Sequence, residues 1–157
     1  MEFSGHQRDV RVLLVQPGST VSSAVRWKLA ALGLNLHCAD NGYIALERMK
    51  DSTPDVVVTD THSTGLTGIE FGQFMRAQPT LRHVPLIFLS DDIGYDLAVT
   101  SQARLGSIDF LPKPLDVDQL AARVTQLLQH RPRHTHPATS NTAQRLVSPF
   151  LPFAAGS

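Results

Sequence analysis

Five short apolar runs, each followed by a longer stretch with helical spacing, recur along this chain and constrain its fold more than any other feature. They lie at residues 11–15, 34–38, 55–59, 85–89 and 108–111 and are dominated by Val, Leu and Ile. A strand buried on both faces needs such a run, because neither of its faces meets water. Joining parallel strands needs a long crossover, which a helix supplies. The pattern therefore predicts an α/β fold: a five-stranded parallel sheet, doubly wound, with helices on both faces.

The intervening segments carry helix punctuation. Residues 20–32 place Val21, Ala24, Val25, Leu29 and Leu32 on one predicted face and stop at Gly33. Asn41-Gly42 opens a helix through about residue 50, and Pro54 introduces the third strand. A third helix is expected over 68–77 and a fourth over 92–105, closed by Gly106. Asp116 caps the last helix, whose inward stripe is Val117, Leu120, Ala121, Val124 and Leu128.

At 157 residues the chain suffices for one domain with a real core, and 14 basic against 14 acidic side chains leave no net charge. Neutrality gives no electrostatic footprint for nucleic acid or an anionic membrane, and no apolar run is long enough to span a bilayer. The first nine residues lack the apolar stretch of a secretory signal, so a cytoplasmic location is expected. Cys38, the only cysteine, excludes an internal disulfide and a Cys-rich zinc site, and it reads as a buried strand filler. Residues 1–8 are expected to be a flexible N-terminus and 9–130 the folded domain. Residues 131–157, rich in Pro, Ser, Thr and His and free of acids, read as a disordered tail. Within it, 147–153 is apolar enough for a short docking motif, although an untidy terminus is the plainer reading. His130, His134 and His136 are read as solvated rather than metal-binding.

In an open parallel sheet the functional site lies beyond the carboxyl ends of the strands, near a switch in strand order. That rule gathers Gln16 and Pro17, Asp60, Ser90 and Asp91, and Lys113. A carboxylate, a hydroxyl and an ammonium converging there are the parts needed to accept, hold and neutralise a phosphoryl group.

The segments Pro54-Asp55-Val56-Val57-Val58-Thr59-Asp60, then Gly65 and Gly68, Leu89-Ser90, and Asp109-Phe110-Leu111-Pro112-Lys113-Pro114-Leu115 follow one another in a distinctive order and spacing. Over about residues 9–130 the chain resembles a response-regulator receiver domain of the chemotaxis type, which implies the flavodoxin-like receiver fold. The resemblance implies that Asp60 is the phosphoacceptor, Ser90 the hydroxyl that moves toward the phosphoryl group, and Lys113 the partner of the acyl phosphate. It implies further that Phe110 is an aromatic switch and that Lys113-Pro114 is cis. His62 would contribute only its backbone carbonyl to a magnesium shell shared with Asp60, and Tyr95 would lie on the partner face built by the fourth helix, fifth strand and fifth helix. The implied partners are a histidine kinase, a phosphotransfer protein or a downstream effector protein, met as a monomer or homodimer.

The departures matter as much. Receivers place a pair of magnesium-binding acids after the first strand, where this chain has Gln16-Pro17. Magnesium wants near-octahedral oxygen ligation with carboxylate charge, so weak metal binding at best is expected. Asp91 stands where most receivers have a small residue; it could replace a lost ligand, or point to solvent or cap the helix beginning near Asp92, and the second is favoured. Asp60, without acidic neighbours, is expected to form a fixed ion pair with Lys113. Gly65 and Gly68 suit a loop with unusual dihedrals. Trp27 falls opposite the apolar face of its helix and should be exposed, over a partner or beneath the tail.

These features favour an atypical, stand-alone pseudo-receiver that signals by protein contact, with magnesium-dependent phosphorylation impaired or absent. The alternative is a conventional response regulator phosphorylated on Asp60. An enzyme using Asp60 and Lys113 is disfavoured, because no nucleophile elbow or Gly-rich nucleotide loop follows the first strand.

Overall fold

The structure, a computed structural model, describes residues 9–17, 20–62, 65–106 and 108–130. The 1–8 segment, the 131–157 tail with His134, His136 and the 147–153 stretch, and the side chains of Val21 and His130 lie outside the described residues. The order is β1 (Val10–Val15), α1 (Thr20–Ala31), β2 (Leu34–Ala39), α2 (Gly42–Met49), β3 (Val56–Asp60), α3 (Gly68–Ala77), β4 (Leu86–Ser90), α4 (Ile93–Ala103), β5 (Ile108–Pro112) and α5 (Val117–His130). All neighbouring strands are parallel, in the spatial order β2-β1-β3-β4-β5, as the apolar runs predict.

Alternation along each strand divides the interior into two cores. Leu13, Val15, Val57, Leu86 and Phe88 face one side, where Ala45 and Met49 of α2 and Phe71 and Met75 of α3 pack on them. Val12, Leu14, Val56, Val58, Ile87 and Leu89 face the other, against Val25 and Leu29 of α1 and Leu120, Ala121 and Val124 of α5. Each fully buried aliphatic or aromatic side chain stabilises the fold by about 1.5–3 kcal/mol relative to exposure. The apolar stripe of α1 is narrower than its sequence suggests. Ala24 is exposed and Leu32 is half exposed, because Leu32 follows the helix end and lies with Leu34 and Leu128 along a shallow groove. Cys38 is half-buried rather than fully packed, since β2 is an edge strand.

Caps set the helix ends. The Asn41 side chain accepts from the Ile44 amide, and Thr67 and Glu70 form a reciprocal capping box on α3. Asp116 Oδ1 accepts from the amides of Asp118 and Gln119 at 2.9 and 3.1 Å, as expected of a cap. The fourth helix stops earlier than the sequence suggests: Arg104, in the left-handed region at φ 55°, ends it before Gly106 is reached. Arg76 ties α3 to the chain entering β4 and β5 by donating to the carbonyls of Val84 at 2.8 Å and Leu105 at 2.5 Å. Burial lowers its pKa from the ordinary arginine value.

The chain leaves β1 outward to β2 and returns on the other side as β3, so the order switches between β1 and β3. Gln16 follows one of these strands and Asp60 ends the other, which puts both at the switch point.

Candidate functional site

The ladder continues just past the strand ends and fixes the site's backbone. The Thr61 amide donates to the Leu89 carbonyl at 3.1 Å, and the Lys113 amide to the Ser90 carbonyl at 2.9 Å. Asp60, Ser90 and Lys113 therefore sit on a shared frame, and the Lys113-Pro114 peptide is cis. Gly68 closes the frame from α3. A Cβ there would lie 2.1 Å from the Asp60 carbonyl oxygen, so α3 begins in contact with the acceptor's main chain. Gly65 has the positive φ, 80°, expected from its sequence setting, whereas Gly68 is required by close approach and not by its dihedrals.

Both oxygens of Asp60 are engaged. Lys113 Nζ stands 2.8 Å from Oδ2, and the His62 amide donates to Oδ1 at 3.3 Å. Asp60 and Lys113 thus form an ion pair. Lys113 is also 3.6 Å from Asp91, whose side chain is 73% exposed. Partial burial pulls the Lys113 ammonium down, but the Asp60 carboxylate, helped by Asp91, outweighs this and raises its pKa above the ordinary lysine value. Asp91 does not cap α4. That position belongs to Asp92, whose side chain accepts from the Tyr95 amide at 3.0 Å.

A second carboxylate lies next to the site, and sequence reasoning missed it. Asp96 of α4 is 1% exposed, and its Oδ2 accepts from the hydroxyls of Ser90 at 2.5 Å and Thr61 at 2.8 Å. Its Oδ1 is 3.1 Å from His62 Nε2, so the His62 side chain, for which the sequence suggested no partner, is engaged. Desolvation alone would raise the Asp96 carboxyl; the Ser90 and Thr61 hydroxyls and His62 outweigh it and hold the group below its ordinary value. Ser90 Oγ also accepts from the Asp92 amide at 3.1 Å.

Helical periodicity gives no sign of this, because the buried face of α4 is polar. Asp96 and Thr100 share one helical face and both are buried, while Tyr95 and Leu97 are 61% and 53% exposed. The helix turns acid and hydroxyl inward and large apolar groups outward, the reverse of an ordinary surface helix. Phe110 is half-buried on β5, its ring 5.6 Å from that of Phe88. Trp27 is 80% exposed on α1, as its helical position predicts.

A doubly wound parallel sheet with an aspartate, a hydroxyl and a lysine at the ends of β3, β4 and β5 defines a receiver-type signalling domain. The comparisons with known proteins agree, and the chain belongs to the response regulator receiver domain family, whose model matches residues 12–125. Regulatory protein AtoC of Escherichia coli is 32% identical over 139 residues, which covers 85% of this chain and 30% of that protein. Chemotaxis protein CheY-3 of Vibrio cholerae is 27% identical over 123 residues, covering 78% of this chain and 94% of that protein. The crystal structure of the signal receiver domain of a histidine kinase from Syntrophus aciditrophicus matches with a TM-score of 0.71 and 25% identity, over 80% of this chain and 95% of that one. The chain thus spans less than a third of the first curated relatives it matches. It is the receiver domain of a two-component response regulator. Such domains are signalling modules, generally not enzymes, that interact with histidine kinases or phosphotransfer proteins and with effector domains.

Receivers typically use magnesium. The donors in this site do not fit such an ion. Among the described residues Asp60 is the carboxylate that ends a strand at the switch point, and its Oδ2 already faces an ammonium that the exposed Asp91 shares. Gln16 contributes a neutral amide, and its Oε1 is buried without a hydrogen-bond partner. Pro17 has no donor atom in its side chain. Hard divalent cations are held by carboxylate charge, and one paired carboxylate with one amide oxygen falls short of that. Among the described residues, no helix is long and apolar enough to cross a membrane.

Proposed function

We propose that this receiver domain signals by protein contact, with magnesium-dependent phosphorylation of Asp60 impaired or absent. The observation that carries this reading is the 2.8 Å pair between Lys113 and Asp60 in a pocket where Gln16-Pro17 replaces the metal-binding acids. A lysine poised for an acyl phosphate is here paired with the acceptor itself, and Gln16-Pro17 supplies no carboxylate to hold the cation that would offset the charge of an incoming phosphoryl group. In this reading residues 9–130 are the receiver unit, flanked by 1–8 and 131–157. Its output face is α4, β5 and α5, where Tyr95 and Leu97 supply exposed apolar surface and the edge strand β5 carries the half-buried Phe110. The partner classes are those of the family: a histidine kinase, a phosphotransfer protein or a downstream effector.

Intact-protein mass after incubation with a small-molecule phosphodonor and magnesium tests the reading, with Asp60→Asn alongside. The expected result is no phosphoryl adduct on well-folded protein, repeated with a kinase as donor. An adduct of one phosphoryl group that disappears in Asp60→Asn would establish the conventional alternative, in which Asp60, Ser90 and Lys113 work despite the altered pocket.

A further inference from the structure

Ser90 has one hydroxyl proton, and Asp96 holds it. A serine hydroxyl donates once, while an ionised carboxylate only accepts, so the direction of the 2.5 Å Ser90–Asp96 bond is fixed by chemistry. Thr61, the residue after Asp60, gives its proton to the same Oδ2 at 2.8 Å and is fully buried. The carboxylate thereby joins the loop after β3, the end of β4 and the first turns of α4. Ala103 adds apolar contact with the core near the end of the helix, and Asp92 caps its start. Its outward face carries Tyr95 and Leu97, its inward face carries Asp96 and Thr100, and the Thr100 hydroxyl is turned back onto the Asp96 carbonyl at 2.9 Å. Directional hydrogen bonds to a desolvated carboxylate add to the apolar contact of Ala103 in seating the helix, and charge-assisted bonds of this kind are about twice as strong as neutral ones.

We propose that Asp96 is a positioning residue that latches α4 to the acceptor site by occupying the Ser90 and Thr61 hydroxyls. Freeing the Ser90 proton for a group on Asp60 and releasing α4 are then one event, because the same bond must break for both. A ligand of Asp60 that needs that proton competes with Asp96 for it. Conversely, a partner that draws α4 outward exposes the Ser90 hydroxyl without any modification of Asp60. The inference rests on the reading above for its output face, since α4 transmits only if partners contact it. The latch itself needs no phosphorylation.

Hydrogen–deuterium exchange of the α4 amides, residues 93–103, tests it on the full chain, with α3 amides as internal reference. Four variants are needed: Asp96→Asn, Ser90→Ala, their combination, and Ser90→Thr, which keeps the hydroxyl. Asp92→Ala serves as control, since it removes the helix cap without touching the carboxylate. The expected result is exchange in α4 faster by about tenfold in Asp96→Asn, faster in Ser90→Ala, and near wild type in Ser90→Thr. The double variant should match Asp96→Asn within about twofold rather than show the product of the two single effects. Multiplying effects, or α4 exchange unmoved by Ser90→Ala, would overturn the latch. So would a Ser90→Thr variant as loose as Ser90→Ala, since the hydroxyl would then not be the point of attachment. Phosphoryl-adduct mass is independent of these rates. An adduct on wild-type protein removes the impaired-phosphorylation reading and leaves the latch standing, and an uncoupled cycle does the reverse.

Discussion

Lys113 reaches across the end of β4 to place its ammonium 2.8 Å from Asp60, and the two residues depend on each other unequally. The Asp60 side chain is 11% exposed and that of Lys113 is 25% exposed, with Asp91 as a second partner at 3.6 Å. Lys113→Ala therefore leaves a nearly buried carboxylate without its cation and is expected to destabilise by about 2–4 kcal/mol. Asp60→Asn leaves an ammonium that still has Asp91 and solvent, and should cost under about 1 kcal/mol. Urea denaturation of both variants measures the asymmetry, and equal losses would show that the pair is not the main stabilising contact of either group.

Replacing Gln16 and Pro17 together by Asp supplies the charge that a magnesium ion requires. The Gln16→Asp, Pro17→Asp variant is expected to bind magnesium at least tenfold more tightly than wild type in calorimetric titration. An unchanged titration would place the obstruction elsewhere, with Asp91 at the pocket mouth the first residue to truncate.

Acidification should act through Asp96. Its native carboxyl lies below the unfolded value of about 3.9, so the folded state favours the ionised form. The resulting stabilisation is present above about pH 4 and is lost as pH falls through the native value. At neutral pH Asp96→Asn should be the less stable protein, and the gap from wild type should narrow on acidification below pH 4. Chemical denaturation at several pH values checks this, and a constant gap would mean that another carboxyl governs the acid limb.

Two glycines should respond in opposite ways to alanine. At Gly68 the new methyl would meet the Asp60 carbonyl oxygen at 2.1 Å, and main chain cannot rotate away, so a loss of about 2 kcal/mol or more is expected. At Gly94 the nearest atom would be Asp92 Oδ1 at 3.7 Å, an ordinary contact inside a helix, and a gain of about 0.5 kcal/mol is expected. Thermal melts of the two variants give the comparison directly.

The sheet was readable because strands buried on both faces must be continuously apolar, and Val56, Val57 and Val58 or Leu86, Ile87 and Leu89 leave little choice. The Asp60–Lys113 pair was readable because the strand-end rule brings two lone opposite charges to one edge. Asp92 rather than Asp91 as the α4 cap was not, since adjacent aspartates offer the same side chain and only the register of the first helical turn decides between them. Asp96 was invisible for a related reason. An isolated acid on a short helix is ordinarily solvated, and only the position of α4 over the ends of β3 and β4 brings Thr61 and Ser90 to it. The limited burial of Leu32 and Cys38 follows from their places at a helix end and an edge strand, which helical or strand periodicity does not encode.

The absence of a side chain at Gly68 gives the site a fixed wall and a movable one. On the α3 side the helix is seated directly on the acceptor's main chain, with the Gly68 amide donating to the Thr61 carbonyl at 3.1 Å and no space between them. On the α4 side attachment runs through hydroxyl protons that can be surrendered. With the latch proposed above, a disturbance at Asp60 is passed to the α4 side. That is the side of the molecule where Tyr95 and Leu97 already face outward.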